Sequence, residues 1–175
     1  CVLLLEKGYE IIVIDSYSNS HEKSLKMVSK ILKDKNRNSK ISLRIVVGDI
    51  RDEEKLEKLF LEYYKTDKPI KAVLHFAGLK SVKESVLKPL LYWDVNVHGA
   101  NILLRVMNRY NCKTIVFSSS ATIYGLSKQR RLYEKSEIHP VNPYGRTKAA
   151  VEQLLNDLFN NNYSPQWRIA CLRYF

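Results

Sequence analysis

Short β-branched runs alternate along this chain with longer amphipathic stretches, and that alternation limits the possible folds more than any other feature. Glu10–Asp15 is an apolar run that ends in an acid, and Ile41–Val47, Ala72–Phe76, Thr114–Ser118 and Arg168–Tyr174 are further strand candidates. Between them, His21–Lys35 spaces Leu25, Val28, Ile31 and Leu32 at helical intervals among lysines. Asp52–Tyr64 sets Leu56, Leu59, Phe60 and Tyr63 on one face, with acids in its first turn. Leu90–Tyr110 reads as mostly helical, and Pro143–Asn160 as another helix. Strands written as continuous apolar runs are those of a parallel sheet covered on both faces by helices. The expected fold class is therefore α/β with a doubly wound parallel sheet. With no linker and no repeat, residues 1–175 are expected to form one partial domain and no second one.

The beginning of that pattern is incomplete. Cys1–Lys7 is helical in character, and Gly8 suits the end of a helix. The strand that follows ends in Asp15. In a dinucleotide-binding unit, an acid at the end of the second strand lies about 20 residues after a glycine fingerprint and bonds the adenosine ribose. Counted back from Asp15, that fingerprint and the first strand are expected upstream of Cys1. Taken alone, Asp15 reads equally well as an ordinary polar residue leaving a strand. The closing Leu172–Phe175 reads as the middle of a strand, so the chain is expected to be a piece, with interior strand edges open. Made alone, such a piece is expected to aggregate and to be inactive.

The formal charge of +11 invites a nucleic-acid reading, but its distribution argues against one. Residues 101–150 hold nine basic and two acidic residues, so +7 of the excess lies in this stretch. The run Lys128-Gln129-Arg130-Arg131 follows Tyr124-Gly125, a loop signature, and reads as solvated surface. No nucleic-acid partner is expected. No apolar run approaches the ~18 residues a membrane span needs, so no membrane partner is expected either. Three scattered cysteines, Cys1, Cys112 and Cys171, suit neither a disulfide framework nor a zinc site. They are expected to be reduced, mostly buried thiols of a cytoplasmic protein. His75 ends an apolar strand and reads as a core histidine; His21, His98 and His139 are isolated, and no metal is expected. Tyr92 and Trp93 read as packing residues on an apolar helix face, and Asp94 as a surface or capping acid.

The residues that point to chemistry are Tyr144-Gly145-Arg146-Thr147-Lys148, preceded by Ser118-Ser119-Ser120 at a strand end. Positions i and i+4 share a helix face, so Lys148 can approach the side of Tyr144. A tyrosine working as a base near neutral pH needs its pKa lowered by about 3 units from ~10, roughly 4 kcal/mol. One ammonium at ~4 Å supplies about that much at an effective dielectric of 20. Alone the pair is a weak signal. A serine at the preceding strand end and an acid after the second strand make it a strong one.

Together these residues resemble the extended short-chain dehydrogenase/reductase family, of the type that modifies sugar nucleotides. The resemblance extends to His75-Phe76-Ala77-Gly78-Leu79-Lys80, Glu84-Ser85-Val86, Lys88-Pro89, Phe117–Gly125, Asn142-Pro143-Tyr144-Gly145 and Leu172-Arg173-Tyr174-Phe175. The chain departs from the family pattern at Ser16, where asparagine is usual, and at Ser81 and Lys83, where alanine and glycine are usual. The resemblance implies a Rossmann-type sheet, here incomplete with its first strand missing, and NAD as cofactor. It implies UDP-glucose and UDP-galactose as partners, interconverted through a transient 4-keto sugar in galactose metabolism, and a possible homodimer in the full-length protein.

By the same resemblance, Ser120, Tyr144 and Lys148 are the catalytic residues. Asp15, Ser16, Tyr17, Ser18, Asn19 and Ser20 hold the adenosine ribose, and Asp49 and Ile50 flank the adenine. Phe76, Ala77, Gly78, Leu79 and Lys80 line the pyrophosphate and nicotinamide side, and Asn96 is the family's structural asparagine. Lys148 reaches the nicotinamide ribose, and Tyr174 and Phe175 the nicotinamide end. Lys80, Ser120, Thr122 and Tyr144 meet the substrate. Related dehydratases carry an acid one or two places after the catalytic serine or threonine; Ala121-Thr122 stands there in this chain, which favours epimerisation. Two alternatives stay open: another NAD-dependent sugar-nucleotide epimerase, and a non-catalytic NAD-binding regulatory domain of the same fold.

Overall fold

Each apolar run becomes a parallel strand, in two separate sheets. The computed structural model describes residues 1–34, 42–126, 131–163 and 166–175. Within it the chain forms two units, Cys1–Ile50 and Arg51–Phe175. Lys35 and Ile41, expected at a helix end and a strand start, lie outside the described residues, as do Lys128, Gln129 and Arg130 of the basic run.

In the first unit, helix α1 (Val2–Glu6) stops at Gly8, whose φ of +83° is the left-handed conformation a glycine adopts at little cost. Strand β1 (Ile11–Asp15), helix α2 (Lys23–Asp34) and strand β2 (Leu43–Val47) follow. β1 and β2 pair in parallel, from Ile11 opposite Leu43 to Asp15 opposite Val47. Parallel neighbours need a crossover, and the segment containing α2 provides it.

The second unit opens with α3 (Glu53–Tyr64), capped by Asp52, whose carboxylate accepts from the Lys55 amide at 3.0 Å. Leu56, Leu59 and Phe60 are its buried face. After β3 (Val73–His75) come α4 (Val82–Leu87), α5 (Pro89–Tyr92), a π-helical turn at Trp93–His98 and α6 (Gly99–Arg109). β4 (Thr114–Ser120) leads into a 3-10 helix at Ala121–Tyr124, then α7 (Pro143–Phe159) and β5 (Arg168–Tyr174). The strand order is β3-β4-β5, all parallel, with Ser120 opposite Tyr174. β4 thus runs past the expected end at Ser118 and carries Ser120 at its tip.

Several expectations need correction. Burial is not continuous along β4 and β5 but alternates, and Leu74, Leu172 and Tyr174 are exposed. α4 is an additional helix that the apolar spacing does not predict; Ser81, one of the departures from the family pattern, caps it by accepting from the Glu84 amide at 3.2 Å. Tyr92 is fully buried, but Trp93 is 41% exposed, because the two side chains leave the helix on different sides. All three thiols are unpaired, yet only Cys112 is buried; Cys171 is half-buried and Cys1 exposed. Burial, with Glu152 nearby, pushes the Cys171 thiol up to about 11, so it stays protonated at neutral pH. Asp94 pairs with Arg51 at 2.5 Å, a surface use as read from the sequence. Among the described residues, no helix is long and apolar enough to cross a membrane, and no group of three His, Cys, Asp or Glu side chains could hold a metal ion.

Candidate active site

The start of α7 is built to stand against the tip of β4. Asn142 caps it, accepting from the Gly145 amide at 2.8 Å, and Pro143 fills a first-turn position where no backbone N–H is needed. A Cβ at Gly145 would lie 2.8 Å from the Thr122 carbonyl oxygen and 3.1 Å from Pro140 Cβ. This close approach brings Tyr144 beside the Ser120–Thr122 turn. Ser120 Oγ accepts from the Thr122 amide at 3.2 Å and from Thr122 Oγ1 at 3.0 Å, leaving its own O–H to donate.

One turn past Tyr144, Lys148 is 5% exposed. Its Nζ donates to the Ser118 carbonyl at 2.8 Å and stands 4.8 Å from the Phe117 ring centroid. It lies 5.9 Å from the centroid of Tyr144, so it faces that ring while bonding the strand. Burial lowers the Lys148 ammonium to about 8, with Lys80 adding to the shift. His75, buried and stacked on Phe117 at 5.6 Å, is lowered to about 4 by burial and then by Lys148; it is a neutral core histidine.

Asn96, in the π-helical turn, ties this helix to the loop after β3. Its Oδ1 accepts from the Leu79 amide at 2.8 Å, and its Nδ2 donates to the Leu79 carbonyl at 2.9 Å and to Thr147 Oγ1 at 3.1 Å. Thr147, fully buried, donates in turn to the Tyr144 carbonyl at 2.7 Å. Gly78 has φ +147°, and a Cβ there would lie 2.9 Å from Asn96 Oδ1. The backbone at Ala77–Leu79 is thereby held open and fixed. π-helical turns of this kind recur at functional sites. Sequence reasoning passed over Thr147, although its place three residues after Tyr144 puts it on the same side of the helix. Phe76, Lys80, Tyr174 and Phe175 are exposed in this unit.

The remaining candidates lie in the first unit, at the ends of its two strands. Asp15 Oδ1 accepts from the Tyr17 amide and from Ser20 Oγ, both at 2.8 Å, and Ser16 donates to Ser18 at 3.1 Å. Tyr17 has φ +55°, and its hydroxyl is buried without a hydrogen-bond partner. Ser18, Asn19 and Ser20 are exposed. The Gly48 amide donates to the Asp15 carbonyl at 3.0 Å, which sets Asp49 and the buried Ile50 beside the end of β1.

Parallel strands with helical crossovers, and a buried Tyr-x-x-x-Lys stripe beside a serine at a strand tip, define a Rossmann-type α/β protein of the short-chain dehydrogenase/reductase kind. The chain belongs to the family described as GDP-mannose 4,6 dehydratase, whose pattern matches residues 1–171. It is 47% identical over 172 residues to UDP-glucose 4-epimerase 2 of Arabidopsis thaliana, covering 98% of this chain and 46% of that protein. It is similar to the crystal structure of UDP-glucose-4-epimerase from Stenotrophomonas maltophila with bound NAD and formylated UDP-arabinopyranose: TM-score 0.88, 38% identity, 100% of this chain and 48% of the other. The UDP-glucose 4-epimerase of Bifidobacterium longum in complex with NAD+ and UDP gives TM-score 0.86 and 40% identity, over 99% of this chain and 48% of the other. The chain spans about half the length of the curated relatives it matches.

Proposed function

We propose that the whole protein is a UDP-glucose 4-epimerase that interconverts UDP-glucose and UDP-galactose with NAD bound, and that residues 1–175 are part of its NAD-binding domain. The observation that carries this reading is the buried Tyr144–Lys148 stripe packed against the Ser120–Thr122 turn. Ala121 and Thr122, neither a carboxylic acid, favour epimerisation over the dehydration for which the family is described.

Each unit, taken by itself, carries residues that suit one part of a dinucleotide. Gly78 keeps a space that a Cβ would fill, beside backbone pinned by Asn96. Asp15 directs a carboxylate from a strand end, as a ribose hydroxyl requires. Asp15 through Ser20, with Asp49 and Ile50, would hold the adenosine part. Phe76–Lys80, Lys148, Tyr174 and Phe175 would hold the pyrophosphate and nicotinamide part. NAD supplies a hydride acceptor and donor at its nicotinamide when bound.

The chain's own work is acid–base chemistry and orientation. Tyr144 Oη receives the proton of the sugar 4-hydroxyl and later returns it, and Ser120 Oγ–H holds the same oxygen in line. Lys148, anchored to Ser118, keeps a positive charge facing the tyrosine ring. Lys80 and Thr122 contact the substrate. In the full-length protein, Tyr144→Phe is expected to cut interconversion by at least about 10²-fold while NAD stays bound. Undiminished turnover in that variant overturns the assignment.

A homodimer is the accompanying proposal. It is supported by an open groove along the π-helical turn and α7, lined by the exposed Trp93 with Val97, Ala150 and Leu154. The three unpaired thiols support a cytoplasmic location.

A further inference from the structure

Arg173 of β5 joins more elements of the second unit than any role in the reaction so far asks of it. Its Nε and Nη2 grip Glu152 bidentately, at 3.1 and 2.7 Å, with Nε also 3.2 Å from the second carboxylate oxygen. Nη1 donates to Tyr124 Oη at 2.7 Å and to the Glu134 carbonyl at 2.8 Å. The guanidinium carbon also lies 5.2 Å from the Tyr124 ring centroid. The side chains of Arg173 and Glu152 are 20% and 9% exposed, so water screens the pair little.

Glu152 stands one turn beyond Lys148, so Tyr144, Lys148 and Glu152 form one buried stripe along α7. Tyr124 closes the 3-10 helix that Ser120 opens, and Gly125 behind it is locked: a Cβ there would lie 2.0 Å from the His139 carbonyl. A rigid planar fork therefore spans the two elements that carry the proposed acid–base residues. An arginine supplies this geometry and a lysine does not, because only the guanidinium can bond a carboxylate and a phenol in one plane.

We propose that Arg173 and Glu152 are positioning residues that set the Ser120–Thr122 turn against the Tyr144–Lys148 stripe, acting through the Tyr124 hydroxyl. The proposal rests on the reading of that site as the acid–base centre. Ser120 and Tyr144 come from different elements, and a misplacement of about 1 Å between such groups costs on the order of 10²-fold in rate. One clamp between the two elements removes that freedom before substrate arrives.

The test uses the full-length, NAD-loaded protein. Tyr124→Phe keeps the ring and the Arg173–Glu152 pair and removes only the bridging oxygen. It should lower kcat for UDP-glucose and UDP-galactose interconversion about tenfold, with KM changed less than about twofold. Amide hydrogen exchange at Thr122–Gly125 should quicken about tenfold, with the α7 amides unchanged. In a Ser120→Ala background the same change should cost less than about twofold, because the clamp acts through Ser120. Arg173→Lys should reproduce the kcat loss if it folds, and Tyr124→Phe decides the matter if it does not. Unchanged kcat and exchange in Tyr124→Phe, or an undiminished loss in the Ser120→Ala background, overturns the proposal. If the wild-type protein shows no interconversion, the epimerase reading falls, and exchange at Thr122–Gly125 still decides whether the clamp exists.

Discussion

The two units hold their proposed acid–base and ribose-binding residues in opposite ways. In Arg51–Phe175, Asn96, Tyr144, Thr147 and Lys148 are all buried, and their bonds join residues as far apart as Asn96 and Thr147. In Cys1–Ile50, the side chains of Asp15, Ser16, Ser18 and Ser20 bond neighbours within five positions, and most of these residues are exposed. The difference follows from the work proposed for each. Moving a proton demands groups whose positions are fixed before the reaction, and a low-dielectric surround fixes them best. Holding a ribose demands a carboxylate on a firm strand end, which a short loop can supply by itself. The second unit should therefore lose stability when its buried candidates Asn96, Tyr144, Thr147 and Lys148 change, and the first should lose mainly affinity.

Asn96→Ala gives the largest expected effect. It deletes three hydrogen bonds, leaves the Leu79 amide and carbonyl to find other partners, and unpins the loop at Gly78. A loss of about 4 kcal/mol in unfolding free energy is expected. Denaturation followed through the buried Trp167 of the same unit measures it. A loss below about 1 kcal/mol would erase the contrast between the units.

Lys148 gives the next effect, and it has a pH signature. Its folded pKa of about 8 lies below the ordinary 10.5 because the ammonium is buried. Between these values the unfolded chain holds a proton that the native protein has released. Stability therefore rises as pH climbs from about 8 to 10.5, and the full penalty is present below 8. The swing is roughly 3 kcal/mol, and Lys148→Met should abolish it. Parallel denaturation curves for the two proteins across that range would show the lysine to be less buried than the structure has it.

The same contrast explains what was legible from residue order. Apolar runs expose strands because a strand's signal is local, so β1 through β5 could be read directly, and so could Ser120, Tyr144 and Lys148 from their spacing at one strand tip and one helix start. α4 escaped because its apolar residues Val82, Val86 and Leu87 are exposed and the residue it buries is the polar Ser85. The π-helical turn escaped because apolar spacing cannot distinguish it from the helices on either side. Arg173, Glu152 and Tyr124 escaped because 21 positions separate the first pair and 49 the second, and only the strand register brings them together. Glu152 did leave a trace, as the next member of the Tyr144–Lys148 series. Local bonding made the opposite case of Asp15, whose side-chain partners Tyr17 and Ser20 are nearby and whose proposed role rests on its strand end alone.

Asp15→Ala should have the smallest effect on stability and so sharpens the comparison most. The carboxylate gives up bonds to the Tyr17 amide and Ser20 hydroxyl, but both groups border an exposed loop where water can replace it. A cost of about 1 kcal/mol or less is expected. For NAD the loss should be larger, because a hydrogen bond to a charged group contributes about 1.5–3 kcal/mol, or roughly 10- to 100-fold in affinity. Calorimetric titration of the full-length variant with NAD, beside its denaturation curve, separates the two. Weakened binding with stability intact would show that the first unit recognises its ligand through a locally built loop. If stability fell as far as in Asn96→Ala, Asp15 would belong to a framework as tightly coupled as the one around Tyr144, and the distinction between the units would fail at its clearest point.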